Sequence, residues 1–197
     1  MADRLLYLAR HGAAVDEGEL SPEGRRQARL LGRRLAGVRV AAIHHGPLPR
    51  AAQTADLIGR HLPGVPVRCS DLVGDYVPPV PDPSALPDAY ARFLAGVSAE
   101  EYAAGARLAA AAIERYAVPA REPTRELVVT HSFLIAWFVR HALDAPEARW
   151  LGLNAANCGL TVIRYRPARP PTLVLFNDMS HLPPRLRWTG FPADLHP

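Results

Sequence analysis

The stretch Leu5-Leu6-Tyr7-Leu8-Ala9-Arg10-His11-Gly12 decides the fold class of this chain. Its apolar residues form an uninterrupted run, which is typical of a short strand buried on both faces of a parallel sheet. The run ends at two polar side chains and a glycine, where the chain must turn. Ser21-Pro22-Glu23 then combines an N-cap, a proline at the first helical position and an early acid, which predicts a helix over residues 22–36.

The same order of strand and helix recurs along the chain. Residues 40–44 are predicted to form a strand, and Pro49 begins a predicted helix that ends near residue 62. Residues 126–130 are predicted to form another strand, followed over 133–143 by a helix that is apolar nearly all round and therefore buried. Further short strands are predicted over 65–69, 160–165 and 173–176, with a turn over 166–171. This alternation predicts a three-layer α/β/α sandwich with a mostly parallel central sheet.

The middle of the chain departs from this alternation. Prolines are dense between residues 77 and 87, which excludes a regular helix or a central strand there. Ser98-Ala99-Glu100-Glu101 has the pattern of a capping box and predicts a helix that reaches about residue 116. We expect one domain over residues 1–197, in which an insertion at about 76–118 forms a small cap over the functional site and selects substrates.

Composition and charge exclude several classes of protein. Hydrophobic residues make up 49% and charged residues 21%, the mix of an ordinary globular protein. Lys and Arg outnumber Asp and Glu by 23 to 19, but the arginines are spread along the helices, so we expect no nucleic-acid partner. No stretch approaches the ~20 apolar residues of a membrane span, so no membrane partner is expected. The oligomeric state is not predicted.

Two features of the sequence favour a cytoplasmic protein. Cys69 and Cys158 are too few for a disulfide framework, which favours a reducing compartment. Residues 1–10 lack the long apolar core and cleavage site of a signal peptide. We therefore expect a cytoplasmic location.

The chemistry is expected at the ends of the strands, because ligands of open α/β sheets bind beyond the carboxyl ends of the strands. Arg10 and His11 follow the first strand, Arg50 lies just after the second, and His131 follows the strand at 126–130. Guanidinium groups offer paired donors to phosphate, and a neutral imidazole can attack phosphorus. A second, protonated histidine and two helix N-termini can stabilise the charge. This set predicts a pocket for a small phosphorylated substrate, which also needs an acid to protonate the leaving alcohol.

These residues resemble the histidine phosphatase superfamily, which is also called the phosphoglycerate mutase-like superfamily. The resemblance runs in the family's order from about Leu5 to Asp178. It is carried by Leu-Tyr-Leu-Ala-Arg10-His11-Gly12, Leu20-Ser21-Pro22-Glu23-Gly24, Pro47-Leu48-Pro49-Arg50-Ala51-Ala52-Gln53-Thr54-Ala55 and Val128-Val129-Thr130-His131-Ser132, and more weakly by Asn157-Cys158-Gly159-Leu160-Thr161.

The resemblance implies a role for each matching residue. His11 would be the nucleophile that becomes phosphorylated, and His131 would act beside it in catalysis. The phosphate pocket would be formed by Arg10, Gly12, Arg50 and His131. The resemblance implies no metal and no organic cofactor, and the scattered histidines show no zinc-type spacing.

The proton donor is harder to place. In the family an acid follows the third strand, two residues after a leucine, and this chain has Gly74 at that position. Asp75 is therefore the predicted donor, with Asp71 as the alternative.

Departures from the family pattern favour a histidine acid-type phosphatase over a mutase. The chain has Ala13-Ala14-Val15-Asp16 where the mutase branch has a polar run with an asparagine, and it lacks the longer mutase insertions. A separate departure is Gly46, where a serine is common in the family, so one possible phosphate hydroxyl is missing. Three alternatives stay open: a phosphoglycerate mutase-type phosphotransferase, a protein phosphohistidine phosphatase, and a non-catalytic phosphate-binding module.

Overall fold

The computed structural model describes residues 1–15, 18–80, 86–191 and 196, and within them a sheet of six strands is flanked by helices. The strands are β1 Arg4–Arg10, β2 Ala42–His45, β3 Val67–Cys69, β4 Thr124–Thr130, β5 Leu160–Arg166 and β6 Arg169–Asp178. The helices are α1 Pro22–Leu35, α2 Pro49–Gly59, α3 Asp88–Leu94, α4 Ala99–Tyr116 and α5 Ser132–Ala142. Short 3-10 helices cover Asp71–Val73, Glu147–Gly152 and Pro184–Leu186.

The sheet is mixed, with strands in the order β3-β2-β4-β1-β5-β6. The pairings among β3, β2, β4 and β1 are parallel, whereas β5 runs antiparallel to both β1 and β6. The predicted α/β fold with a mostly parallel sheet is therefore confirmed. In the parallel pair of β1 and β4, Arg10 lies opposite Thr130, so the two strands end at the same level.

The two faces of β1 explain the three layers. Leu6 and Leu8 pack in an apolar cluster with α4 and α5, whereas Tyr7 and Ala9 point to the cluster formed with α1 and α2. Successive strand side chains point to opposite faces, so an unbroken apolar run fits a strand that is covered on both sides. The sequence pattern and the layering agree for this reason.

Helices α1 and α4 begin directly after the predicted N-cap residues. The Ser21 side chain accepts a hydrogen bond from the Gly24 backbone N–H at 3.1 Å, and α1 begins at Pro22. Ser98 and Glu101 form both hydrogen bonds of a capping box, and α4 follows at Ala99. These caps satisfy backbone donors that a helix leaves without a partner.

The observed elements differ from the prediction in several places. Helix α3 was not predicted, because its seven residues are too few to show a helical period. Strand β6 begins at Arg169, so the predicted turn at 166–171 is shorter than expected; β6 is an edge strand, which tolerates prolines 170 and 171. Helix α2 ends at Gly59 rather than near residue 62.

The predicted cap segment, residues 76–118, is only partly described, since residues 81–85 lie outside the described part. Its helix α4 packs on the sheet beside α5, where Ala109 and Ala112 are fully buried in the cluster around Leu6. A role for this segment as a cap stays a prediction. Among the described helices, none is both long and apolar enough to cross a bilayer.

Candidate active site

The ends of β1 and β4 bring two histidines together. The His11 backbone N–H donates to Thr130 O at 2.9 Å, so the chain leaves both strands side by side. The rings of His11 and His131 are 4.9 Å apart between centroids and tilted by 55°. Both residues are buried, at 7% and 3% exposure.

The hydrogen bonding of His11 leaves one ring nitrogen available to attack phosphorus. Its Nδ1 lies 2.7 Å from the Gly12 carbonyl oxygen. A carbonyl oxygen only accepts, so Nδ1 carries the proton and Nε2 keeps its lone pair. Burial, aided by the neighbouring His131, lowers the pKa of His11 to about 3. The ring is therefore neutral at neutral pH, as a nucleophile must be.

His131 lies at the N-cap of α5 and faces an acid. Its Nδ1 lies 3.3 Å from Asp75 Oδ2. Its Nε2 is buried and has no hydrogen-bond partner among the described residues. Burial, with the positive charges of Arg50 and Arg10, lowers the pKa of His131 to about 3. A buried, unpartnered ring nitrogen is costly, which is expected where a ligand completes the bonding.

Two buried arginines give the site its positive charge. Arg10 Nη1 donates to Ala155 O at 3.0 Å and to Gly190 O at 3.1 Å. Burial lowers the pKa of Arg10 to about 10, so the group stays charged at neutral pH. Arg50 lies in the first turn of α2, and its Nη2 donates to Asp75 Oδ2 at 2.8 Å.

Asp75 joins this group because the preceding turn is anchored to the sheet. The Thr130 hydroxyl donates to Val73 O at 2.8 Å, which fixes the 3-10 helix Asp71–Val73 beside the end of β4. Gly46 permits this contact, since a Cβ at that position would lie 2.6 Å from Val73 O. The structure thus brings Asp75 to Arg50 and His131. Asp71 is exposed and does not line the cavity.

An open cavity of about 390 Å³ lies between these side chains. Arg10, His11, Arg50, Asp75 and His131 line it, together with Ala13, Ala14, Ser132, Phe133, Asn157 and Gly190. Gly12 is near but outside the lining, and its backbone N–H donates to the Thr54 hydroxyl at 3.0 Å. A direct contact between Gly12 and phosphate stays a prediction. None of the described residues of the predicted cap segment lines this cavity.

Asn157 has a place in the site that the sequence did not assign. Its Nδ2 donates to the His11 carbonyl at 2.8 Å, which fixes the backbone of the predicted nucleophile. The only signal for it in the sequence is the weak match around Asn157-Cys158-Gly159.

Gln27 on α1 was missed entirely. Its side chain is fully buried, accepts from Ala13 N at 2.9 Å, and donates to Leu186 O and Thr189 Oγ1. It thereby joins the loop after His11 to the end of the chain. No pattern in the sequence separates a glutamine of this kind from one on an exposed helix face.

Other polar candidates lie apart from the cavity. His44 pairs with Glu126 at 3.2 Å inside the sheet layer, and His181 Nε2 bonds to Cys158 O at 3.1 Å. Burial raises the pKa of the Cys158 thiol, which makes it a poor nucleophile. In the described residues no group of three or more His, Cys, Asp or Glu side chains is arranged to hold a metal ion.

Comparison with known proteins identifies the family. The family model of the histidine phosphatase superfamily (branch 1) matches residues 6–179, and the chain belongs to this superfamily.

Among curated proteins, the chain is 34% identical over 194 residues to the serine/threonine-protein phosphatase Pgam5, mitochondrial, of Caenorhabditis elegans, covering 93% of this chain and 66% of the relative. It is also 34% identical to human PGAM5, covering 93% of this chain and 65% of the human protein. A solved structure of phosphoserine phosphatase from Entamoeba histolytica in complex with 3-phosphoglyceric acid has the same fold, with a TM-score of 0.67, 21% identity, and coverage of 91% of this chain and 100% of that one.

These comparisons bear on the extent and the location of the chain. The chain spans slightly less than two thirds of the length of the curated relatives. The expected cytoplasmic location is wrong, because these relatives are named as mitochondrial proteins. The physical reason is that a low cysteine content is compatible with more than one reducing compartment and does not specify which of them the protein occupies.

Proposed function

We propose that this protein hydrolyses phosphate monoesters through a phosphohistidine formed on His11. The observation that carries the proposal is the neutral tautomer of His11, whose Nδ1 proton is held by the Gly12 carbonyl while Nε2 is left to react. Arg10 and Arg50 supply the positive charge that a phosphoryl group requires.

In the first step, His11 Nε2 attacks phosphorus and the bond from phosphorus to the ester oxygen breaks. Asp75, as the carboxylic acid, gives its proton to the departing oxygen, so a neutral alcohol leaves. Arg50, which holds Asp75 in the structure, turns to the phosphoryl oxygens when substrate binds.

In the second step, water attacks the phosphorus of phosphohistidine and the bond from nitrogen to phosphorus breaks. The Asp75 carboxylate accepts the proton of the attacking water, and His11 regains its lone pair. His131 Nε2 is the group placed to bond a phosphoryl oxygen, and a bound anion favours its charged form, which stabilises the transition state.

The substrate class is inferred from the curated relatives. They are named serine/threonine-protein phosphatases, and we propose that this chain also acts on phosphorylated serine or threonine side chains of proteins. The low pKa of His11 supports the acid-type assignment, since the nucleophile stays unprotonated in mild acid.

The test is hydrolysis of an aryl phosphate, with chelator present, by the wild type and by His11→Ala, Asp75→Asn and His45→Ala. His45 is the matched control, because its Nδ1 bonds to Gly46 O at 2.8 Å in the same local pattern, at the end of β2 and outside the cavity lining. We expect His11→Ala to abolish turnover and His45→Ala to retain it.

Asp75→Asn separates the two steps. An aryl alcohol leaves without much help from an acid, whereas the attack of water on phosphohistidine needs the base. We therefore expect a rapid burst of one aryl alcohol per enzyme followed by a steady rate about 10²–10⁴-fold below that of the wild type. Turnover that survives His11→Ala, or that the chelator removes, would contradict the mechanism.

A further inference from the structure

A second cavity, of about 480 Å³, adjoins the catalytic one and differs from it in chemistry. Phe133, in the first turn of α5, lines both. The second cavity, called the apolar groove below, is lined mainly by aromatic and aliphatic side chains, and none of its described lining residues is charged. Those that matter here are Tyr90, Phe93, Phe133, Trp150, Leu151 and Leu153.

The groove has an aromatic wall that ends in an exposed ring. Phe133 packs against Trp150 with centroids 5.1 Å apart, and Phe93 meets Phe133 edge-on at 5.8 Å. The orientation of the Trp150 ring is fixed by a hydrogen bond, because its Nε1–H donates to Pro79 O at 3.0 Å. Phe93 nevertheless remains 60% exposed at the edge of the groove. Burial of such a ring against an apolar ligand is favourable.

We infer that the apolar groove binds an apolar side chain directly next to the phosphorylated serine or threonine of a protein substrate. The inference rests on the proposed function. One ring, Phe133, separates the groove from the phosphate site, and neighbouring Cα atoms of a peptide are only about 3.8 Å apart. A peptide whose phosphate lies at His11 therefore places the adjacent side chain within reach of the groove. Helix α3, which carries Phe93, belongs to the segment that the sequence predicted to select substrates.

The test measures binding separately from turnover. The probes are short glycine-rich phosphoserine peptides that differ only in the residue before or after phosphoserine, which is phenylalanine or serine. Affinity is measured by fluorescence anisotropy on His11→Ala, and kcat/KM on the enzyme with His11 intact. We expect a neighbouring phenylalanine to tighten binding about tenfold, which corresponds to about 1.4 kcal/mol, and to raise kcat/KM mainly through KM.

Phe93→Ala is the variant that tests the groove, because an exposed ring can be removed without disturbing the core. We expect it to reduce the preference for phenylalanine to less than about twofold, with turnover of free phosphoserine unchanged. Phe93→Leu should restore most of the preference. Leu143→Ala is the matched control, since Leu143 is 54% exposed outside the groove and its loss should leave the preference intact.

Three other outcomes would overturn the inference. Equal binding of the phenylalanine and serine peptides would show that no neighbouring side chain enters the groove. A further probe is naphthyl phosphate, a small aryl ester. If Phe93→Ala reduced the hydrolysis of this ester and left the peptide preference unchanged, the groove would be assigned to the leaving group of a small ester. Conversion of an oligomer to a monomer by Phe93→Ala, with no peptide preference, would assign it to a second copy of the chain. Peptide preference without turnover would overturn the proposed function and leave the groove assignment standing.

Discussion

Asn157 shows how a single residue fixes the proposed nucleophile, His11, from another part of the chain. It is 3% exposed, and its Nδ2 is the donor to the His11 carbonyl oxygen at 2.8 Å. Asn157→Ala removes that donor and lets the backbone at His11 relax. We expect kcat for an aryl phosphate to fall about tenfold, with a stability loss of about 1–3 kcal/mol from the unpaired carbonyl. Unchanged kcat together with lowered stability would show that the bond serves the fold alone.

The ionisation of His11 predicts the acid side of the pH profile. Its pKa is lowered to about 3, so the protonated, unreactive form accumulates only well below pH 6.5. We expect kcat/KM, which reports the free enzyme, to lose little between pH 7 and pH 5 through His11. A histidine of ordinary pKa would be only about one-thirtieth neutral at pH 5. An acid limb centred near pH 6.5 would contradict the buried, neutral nucleophile.

The part of the site that could be predicted from the sequence is the part set by strand ends. Arg10, His11 and His131 follow β1 and β4, so an argument about sheet edges brings them together. Asp75 could not be separated from Asp71 without the 3-10 helix that turns one toward the cavity and the other toward solvent. The role of Gln27 could not be predicted because two of its three partners, Leu186 and Thr189, lie more than 150 residues away along the chain.

At the scale of elements, the C-terminal segment, residues 179–191, completes the wall of the catalytic cavity. Its Gly190 accepts from Arg10 and has a φ of +91°, a conformation that favours glycine. A Cβ there would lie 2.5 Å from Arg10 Nη1 and 2.6 Å from Asn157 Oδ1. The segment can therefore approach the arginine only because this residue has no side chain.

Gly190→Ala tests whether this segment holds Arg10 for phosphate. We expect the inhibition constant of inorganic phosphate and the KM of an aryl phosphate to rise about tenfold, because the added methyl group displaces the guanidinium. Gly64→Ala is the matched control, with a φ of +79° and nothing within 4 Å of the new Cβ. Both variants carry the cost of a left-handed alanine, so a defect shared by both would assign the effect to backbone strain alone.

Elements were predictable where local chemistry fixes them. The caps at Ser21 and Ser98 determine where α1 and α4 begin, because each side chain bonds to the backbone three residues later. Helix α3 lacks both a side-chain cap and the length that reveals a period, so its place depends on tertiary contacts such as the burial of Leu94 in the cluster around Leu6.

At the scale of the whole molecule, the active site lies where two apolar layers meet the edge of the sheet, and this placement has a cost for stability. His11 and His131 are buried as neutral rings, so at acidic pH the folded protein binds fewer protons than the unfolded chain. Because both pKa values are lowered from 6.5 to about 3, the unfolded state binds more protons between these values. Stability is therefore full above about pH 6.5 and falls as the pH decreases toward 3.

This linkage predicts the pH dependence of the unfolding free energy, measured by urea titration in a buffer free of phosphate. Each histidine contributes a loss of about 2 kcal/mol between pH 6.5 and pH 5, since one pH unit corresponds to about 1.4 kcal/mol for one proton. His11→Gln removes one such group and should make the difference between pH 7 and pH 5 smaller by that amount. His196→Gln, at an exposed histidine, should leave the difference unchanged. Equal pH dependence in wild type and His11→Gln would mean that His11 has the same pKa in the folded and the unfolded chain, which would contradict the lowered pKa of the buried ring.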